Sequence, residues 1–153
     1  LDRNFIDLDT TIEDMHEKRF GRHRSCKEIV IEHGEGYFRA LEHDALARAV
    51  THETQIVLSV GGGTPVAMSN RALLAGHTII HVTADRGNVF EKIMINGRPA
   101  IMEQDEEILP AFRRLWDERE SIYTALAKHR VENNGTLDEV VRKLELFFSP
   151  SQV

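Results

Sequence analysis

The first candidates for catalytic or metal-binding residues in this sequence are two aspartates. Asp7 and Asp9 flank Leu8 at the end of the stretch Phe5-Ile6-Asp7, which indicates a strand. Alternate residues of a strand share a face, so both carboxylates are expected to point into one cleft. There one carboxylate could hold Mg²⁺ through water and the other could accept a hydroxyl proton. Taken alone, the pair is slightly better explained as a solvated turn with a helix cap.

A run of three glycines is the second such feature. Gly61, Gly62 and Gly63 follow the apolar run Gln55-Ile56-Val57-Leu58, which predicts a short buried parallel strand. Open α/β sheets bind ligands beyond the carboxyl ends of their strands. Glycine lets a ligand approach the main chain with no Cβ in the way. A triple glycine by itself is more often an ordinary loop.

Two arginines are candidates for binding an anion. Arg39 lies on a predicted helix with Glu42 three positions further on, so the two side chains are neighbours. A carboxylate beside a guanidinium can orient the N–H donors of the guanidinium toward an anionic ligand. A surface ion pair is nevertheless the commoner outcome of this spacing. Arg119 lies on another predicted helix, where arginines are usually just solvated.

The composition limits the class of protein. The 153 residues suffice for one domain, 1–153, with a real core, and 41% hydrophobic and 29% charged residues are ordinary globular values. The net charge of -6 argues against broad nucleic-acid binding, and the longest apolar runs are far too short to span a bilayer. We therefore expect neither nucleic acid nor a membrane as a partner.

The cysteine and histidine content indicates the cellular compartment and the kind of site to expect. A single cysteine, Cys26, excludes an internal disulfide and fits a reducing cytoplasm, where we expect a monomer. The eight histidines show no metal-ligand spacing. The sequence starts at Leu1 without an initiator Met and runs directly into a strand. We therefore expect an N-terminal piece of the natural protein to precede it.

Strands alternate with helices along the chain, which predicts a parallel sheet in a three-layer α/β/α domain. Thr10-x-x-Glu13 and Thr136-x-x-Glu139 are capping-box patterns for the helices that follow them. The segment from Lys18 to Arg24 is expected to be a basic loop. The polar stretch from Asn96 to Asp105, with Gly97, Arg98 and Pro99, suits a mobile lid of about 96–105.

Taken in chain order, these pieces resemble shikimate kinase, a small P-loop kinase of aromatic amino-acid biosynthesis. Together they span nearly the whole chain, and their combination is far more specific than any single member. The matching segments are Phe5-Ile6-Asp7-Leu8-Asp9-x-x-Ile12-Glu13, Gly34-Glu35-x-x-Phe38-Arg39-x-x-Glu42, Leu58-Ser59-Val60-Gly61-Gly62-Gly63, Asn70-Arg71, Arg98-Pro99 and Glu118-Arg119-x-x-x-Tyr123.

The resemblance implies transfer of the γ-phosphoryl group of ATP to the 3-hydroxyl of shikimate, with Mg²⁺. It assigns activation of that hydroxyl to Asp9 and the position near magnesium to Asp7. It also assigns the shikimate carboxylate to Arg39 and Arg119, and contact over the phosphates to the lid residue Arg98. By the same resemblance, the backbone of Gly61, Gly62 and Gly63 contacts the substrate.

One departure from the family pattern is large. The sequence contains no Gly-x-x-x-x-Gly-Lys-Ser/Thr motif. In a P-loop kinase-like fold this loop would precede Phe5, together with the first strand and first helix, in a unit of about 30 residues. The 153 residues alone are therefore predicted to be inactive. The alternative is a non-catalytic shikimate-kinase-like domain that senses a small molecule, and Asp9 favours the kinase because a sensor has no need of that acid.

Overall fold

A computed structural model of the chain describes residues 3–52, 55–97 and 107–148. The strands in these ranges are β1 (Asn4–Asp7), β2 (Ile56–Ser59), β3 (Ile80–Thr83) and β4 (His129–Glu132). The helices are α1 (Leu8–Phe20), α2 (Cys26–His33), α3 (Glu35–His52), α4 (Met68–Leu74), α5 (Arg86–Asn96), α6 (Ile108–Leu126) and α7 (Leu137–Leu146), with a short 3-10 helix at Thr64–Val66.

The chain divides into two compact units, an N-terminal unit of Asp2–Ala75 and a C-terminal unit from Gly76. In the N-terminal unit β1 pairs with β2 in parallel, and Asp7 lies opposite Ser59. In the C-terminal unit β3 pairs with β4, again in parallel, with Thr83 opposite Glu132. Helices fill both connections, so the predicted alternation of strands and helices in a parallel arrangement is confirmed. The prediction of a single domain stays a prediction.

The core of the N-terminal unit lies where α1, α2 and α3 pack together. Ile29 of α2 is completely buried, as are Leu8 and Ile12 of α1. Helix α3 contributes the apolar face that its spacing predicts, with these residues buried: Phe38, Leu41, Ala45, Leu46 and Ala49. The three helices thereby pack into one core within this unit.

The beginning of α1 differs from the sequence-based prediction. The helix starts at Leu8, and Asp7 is its N-cap, with the Asp7 carboxylate accepting a hydrogen bond from the Thr10 backbone N–H. The predicted capping box at Thr10 and Glu13 is therefore wrong, because the helix begins before Thr10 and the Asp7 side chain caps it. Helix α1 also continues to Phe20, so the predicted basic loop is confined to the residues after it.

The C-terminal unit has its own small core between α5 and α6. Ala111 and Phe112 of α6 are buried and pack against Phe90 and Trp116. Helix α7 begins with the capping box that the sequence predicts, since Thr136 and Glu139 each bond the other's backbone N–H. The lid residue Arg98 lies outside the described residues, as does most of the predicted lid.

None of the described helices combines the length and the apolar character that crossing a bilayer requires.

Candidate functional site

The candidate site lies where β1 and β2 of the N-terminal unit end. Because the two strands run in parallel and Asp7 pairs with Ser59, the start of α1 and the segment after β2 leave the sheet side by side. Asp9 is in the first turn of α1, not on the strand as the alternation argument assumed. Its carboxylate Oδ1 nevertheless reaches the glycines, 3.4 Å from the position of a Cβ at Gly61.

Asp9 lies in a concentration of negative charge. Desolvation by the surrounding protein raises its pKa, and the neighbouring carboxylates of Asp7, Glu13 and Glu42 raise it further. The side chain remains open to solvent. A carboxylate that is exposed, partly desolvated and repelled by its neighbours is a better proton acceptor than an ordinary surface aspartate.

Arg39 lies against the third glycine. A Cβ at Gly63 would be 2.7 Å from both Nη1 and Nη2 of Arg39, closer than real Cβ atoms approach other atoms. Nη1 donates to Glu42 at 2.8 Å, and Nε donates to Glu35 at 3.3 Å. Burial lowers the pKa of Arg39, but the hydrogen bonds and charges of Glu42 and Glu35 outweigh it, and the net shift is upward. The guanidinium is therefore charged and fixed in orientation.

The carboxylate of Glu42 begins a chain of buried hydrogen bonds behind Arg39. Glu42 is 2% exposed, and its Oε1 accepts a hydrogen bond from the Thr64 hydroxyl at 2.9 Å. The Thr64 carbonyl accepts from the side-chain amide of Asn70 at 2.9 Å, and the Asn70 oxygen pairs with His43 Nδ1 at 2.8 Å. This series of contacts joins α3, the 3-10 helix and α4.

Backbone contacts fix the conformation of the glycine segment. The Thr64 N–H donates to the carbonyl of Gly61, and the Val66 N–H donates to the carbonyl of Gly63, each at 3.0 Å. Arg71 donates to the carbonyls of Pro65 and Val66 at 2.8 Å. Gly62 is exposed at the tip. These hydrogen bonds fix the segment, which presents backbone, with no side chains, next to Asp9 and Arg39.

Cys26 lies at the start of α2, near Asp9. Burial and the nearby carboxylates of Asp9 and Glu13 raise the pKa of its thiol to about 12. A thiol with that pKa is almost entirely protonated at neutral pH and is a poor nucleophile.

Arg119 belongs to the C-terminal unit, on α6. It is half-buried beside Tyr123, one turn further along the helix. Burial raises the pKa of Tyr123, against the opposing charge and hydrogen bond of Arg119. Arg119 and Tyr123 are therefore joined by a side-chain hydrogen bond on α6. The convergence of Arg119 with Arg39 on one ligand stays a prediction.

The structure brings together Asp7, Asp9, Arg39 and the glycines, which are far apart in sequence. Such an arrangement can bind the carboxylate of a small molecule at Arg39 while Asp9 faces another of its groups. Sequence reasoning noted Glu42 only as a neighbour of Arg39, and it did not identify Thr64 or His43. The pair Asn70 and Arg71 was visible only through the resemblance, and both prove to support the glycine segment.

Comparison with known sequences gives one family. The family model described as shikimate kinase matches residues 1–147. A curated shikimate kinase of Flavobacterium johnsoniae is 35% identical over 147 residues, which cover 92% of this chain and 81% of that protein. A shikimate kinase of Salinispora arenicola is 34% identical over 117 residues, covering 76% of this chain and 68% of the relative.

Comparison with solved structures agrees in fold. The shikimate kinase of Acinetobacter baumannii in complex with shikimate has a TM-score of 0.78 at 24% identity, covering 99% of this chain and 82% of that one. The shikimate kinase of Aquifex aeolicus has a TM-score of 0.69 at 26% identity, covering 95% and 80%. These likenesses confirm the predicted α/β, P-loop kinase-like fold class.

Proposed function

The chain belongs to the shikimate kinase family, and we propose that it takes part in the transfer of the γ-phosphoryl group of ATP to the 3-hydroxyl of shikimate through the site at the ends of β1 and β2. The family membership makes it a phosphotransferase of aromatic amino-acid biosynthesis. The single observation that carries the residue assignment is the packing of Arg39 and Asp9 against the same three glycines.

In this proposal Arg39 binds the shikimate carboxylate. Its guanidinium is oriented in advance by Glu42 and Glu35, so little side-chain freedom is lost when the substrate arrives. A charge-assisted contact of this kind contributes about 1.5–3 kcal/mol. The glycine segment allows the substrate ring to approach the backbone, and Arg119 supplies a second guanidinium to the same carboxylate.

Asp9 orients the acceptor hydroxyl and removes its proton as the phosphoryl group arrives. The upward shift in the pKa of Asp9 brings it closer to the range in which a general base works. Phosphoryl transfer depends mainly on positioning and on neutralising charge. Arg98, outside the described residues, is proposed to contact the phosphates from the lid.

Mg²⁺ fits the acidic surroundings of Asp7. The carboxylates of Asp7, Glu13 and Glu42 raise the pKa of Asp9 by repulsion, and a divalent cation would relieve that repulsion. Asp7 is the residue that would hold the ion, which supplies charge neutralisation at the phosphates when bound.

We further propose a cytoplasmic monomer that acts on a small molecule, with neither nucleic acid nor membrane as a partner, in keeping with the net charge of -6 and the single cysteine.

The test compares Asp9→Asn with the wild type in a polypeptide that carries a P-loop unit ahead of Leu1. Loss of an orienting base is expected to lower turnover of shikimate and ATP by about 10²–10⁴-fold. Shikimate affinity should change much less, because the carboxylate is bound by the arginines. Unchanged turnover would remove Asp9 from the mechanism. An inactive wild type that still binds shikimate would favour the sensing domain instead.

A further inference from the structure

A second group of polar side chains lies in the N-terminal unit, between α1 and α2. The Nε2 atoms of His16 and His33 are 3.1 Å apart, although the residues are 17 positions apart in sequence. A carboxylate oxygen of Glu32 joins them, so that all three potential ligand atoms lie within 4.8 Å of one another. Imidazole nitrogen and carboxylate oxygen are common ligands of zinc. No residue of this group has a role in the proposed phosphoryl transfer.

The same place contains unsatisfied polar groups. Among the described residues, the buried side-chain polar atoms that lack a hydrogen-bond partner are Nδ1 of His16 and the hydroxyl of Tyr37. His16 is completely buried, and the ring centroids of Tyr37 and His33 are 4.7 Å apart. Buried polar groups are nearly always paired with protein, water or an ion. Both exceptions lie in this cluster, although neither is one of the two Nε2 atoms that face each other.

The spacing of the two histidines suits a metal ion. Two nitrogens on one tetrahedral zinc ion, at the usual bond length, are about 3.3 Å apart. We propose that His16, His33 and Glu32 form a zinc site, with water completing the coordination. A direct hydrogen bond between the two imidazoles would give the same 3.1 Å separation, and titration with zinc separates the two explanations.

The carboxylate of Glu32 already has an outer shell of donors. Arg22 Nη2 lies 2.5 Å from its Oε1, and Arg24 Nε lies 3.2 Å from its Oε2. Hydrogen bonds of this kind orient a ligating carboxylate. The two guanidiniums also oppose a divalent cation, so we expect weaker binding than in a closed site of four cysteine or histidine ligands.

Zinc at this position would join the last turns of α1 to the end of α2. Along the chain the two helices are joined by the residues between Phe20 and Cys26, where Gly21 has a left-handed backbone conformation with a φ of 70°. An ion that binds the folded state and not the unfolded chain shifts the folding equilibrium toward the folded state. The site is thus a structural link in the N-terminal unit, independent of the kinase activity.

The test uses the untagged 153-residue chain, stripped with a chelator and titrated with Zn²⁺ by calorimetry and thermal unfolding. One ion per chain and a rise in Tm that depends on zinc concentration are expected. His33→Gln, which removes a half-buried ligand, should weaken binding by about tenfold or more. His77→Gln, which removes an exposed histidine of the C-terminal unit, should bind zinc as the wild type does. The absence of saturable binding, or equal binding by His33→Gln, would overturn the proposal.

A second measurement on the wild type avoids any effect of substitution on folding. In ¹⁵N-labelled protein, the Nε2 resonances of His16 and His33 should move together on addition of zinc and return when a chelator is added. If neither resonance responds at saturating zinc, the two rings are joined by a hydrogen bond alone and the site does not bind the metal.

Discussion

The guanidinium of Arg39 occupies the space that a side chain at Gly63 would need. A Cβ at Gly63 would lie 2.7 Å from both terminal nitrogens of Arg39. The backbone of Gly63 has φ -80° and ψ -26°, a conformation that any residue adopts. Glycine at this position is therefore explained by the neighbouring arginine and not by the backbone conformation.

Gly63→Ala is predicted to weaken shikimate binding. The added methyl group must displace the Arg39 guanidinium from the position in which Glu42 and Glu35 hold it, because the glycine segment is itself fixed by backbone hydrogen bonds. Loss of a well-placed charge-assisted contact costs about 1.5–3 kcal/mol, so shikimate affinity should fall by about tenfold or more. Calorimetric titration with shikimate measures the change.

Gly36→Ala is the matched control for this substitution. Gly36 lies on α3, three positions before Arg39, and a Cβ there would meet nothing within 4 Å. This variant should bind shikimate normally and be slightly more stable, by about 0.5–1 kcal/mol, since alanine is favoured over glycine within a helix. Equal affinity of Gly63→Ala and Gly36→Ala would contradict the proposed role of Arg39.

Glu42→Ala is predicted to destabilise the N-terminal unit. It leaves the Arg39 guanidinium and the Thr64 hydroxyl without their shared partner at a position that is 2% exposed. We expect a loss of about 2–4 kcal/mol in the free energy of unfolding, measured with denaturant at pH 7. Glu35→Ala removes the exposed partner of Arg39 and should cost no more than about 1 kcal/mol. Similar losses for both variants would show that the buried contacts of Glu42 contribute no more to the free energy of unfolding than the exposed contact of Glu35.

The stability of the chain is predicted to fall as the pH drops below about 6.5. Burial lowers the pKa of His16, and the charges of His33 and Arg22 lower it further against the opposing effect of Glu32. In the unfolded chain His16 takes a proton near pH 6.5, whereas in the folded chain it does so only at a lower pH. Acidification therefore favours the unfolded state until the folded pKa is reached. An NMR titration of the His16 ring, made with a chelator present, should give a pKa below 6.5, and a value above 6.5 would contradict this account.

Nucleotide binding by the 153 residues alone is predicted to be very weak. The sequence has no Gly-x-x-x-x-Gly-Lys-Ser/Thr motif to surround the β- and γ-phosphates. Calorimetry with Mg-ATP should show no affinity in the micromolar range and no turnover with shikimate. Micromolar binding would mean that other residues of this chain form a nucleotide site.

Local patterns in the sequence predicted the features of the fold that depend on neighbouring residues, such as the buried face of a helix and its capping. The apolar spacing of α3 identified the face that is buried, and the pair Thr136 and Glu139 forms the expected capping box. The same reasoning failed at Thr10, because Asp7 supplies a better-placed cap. Burial along α7 is uneven, since Val140 is 6% exposed whereas Leu137 is 76% exposed.

Contacts between distant segments could not be derived in this way. The hydrogen bond from Thr64 to Glu42 joins residues 22 positions apart, and no periodic pattern encodes it. The contact between His16 and His33 likewise joins two packed helices, and spacing along the chain does not describe such a pair. Arg39 was identified through its neighbour on the same helix, but its position against Gly63 depends on tertiary structure.

The measurement that tests the central claim most directly is the affinity of the chain for shikimate before and after removal of the arginines. The account predicts saturable binding by the wild type and an affinity that is lower by about tenfold or more for Arg39→Ala and for Arg119→Ala. Arg113→Ala, an exposed arginine on the same helix as Arg119, should bind as the wild type does. Wild-type affinity in a correctly folded Arg39→Ala variant would show that the carboxylate of shikimate is bound elsewhere and would contradict the account.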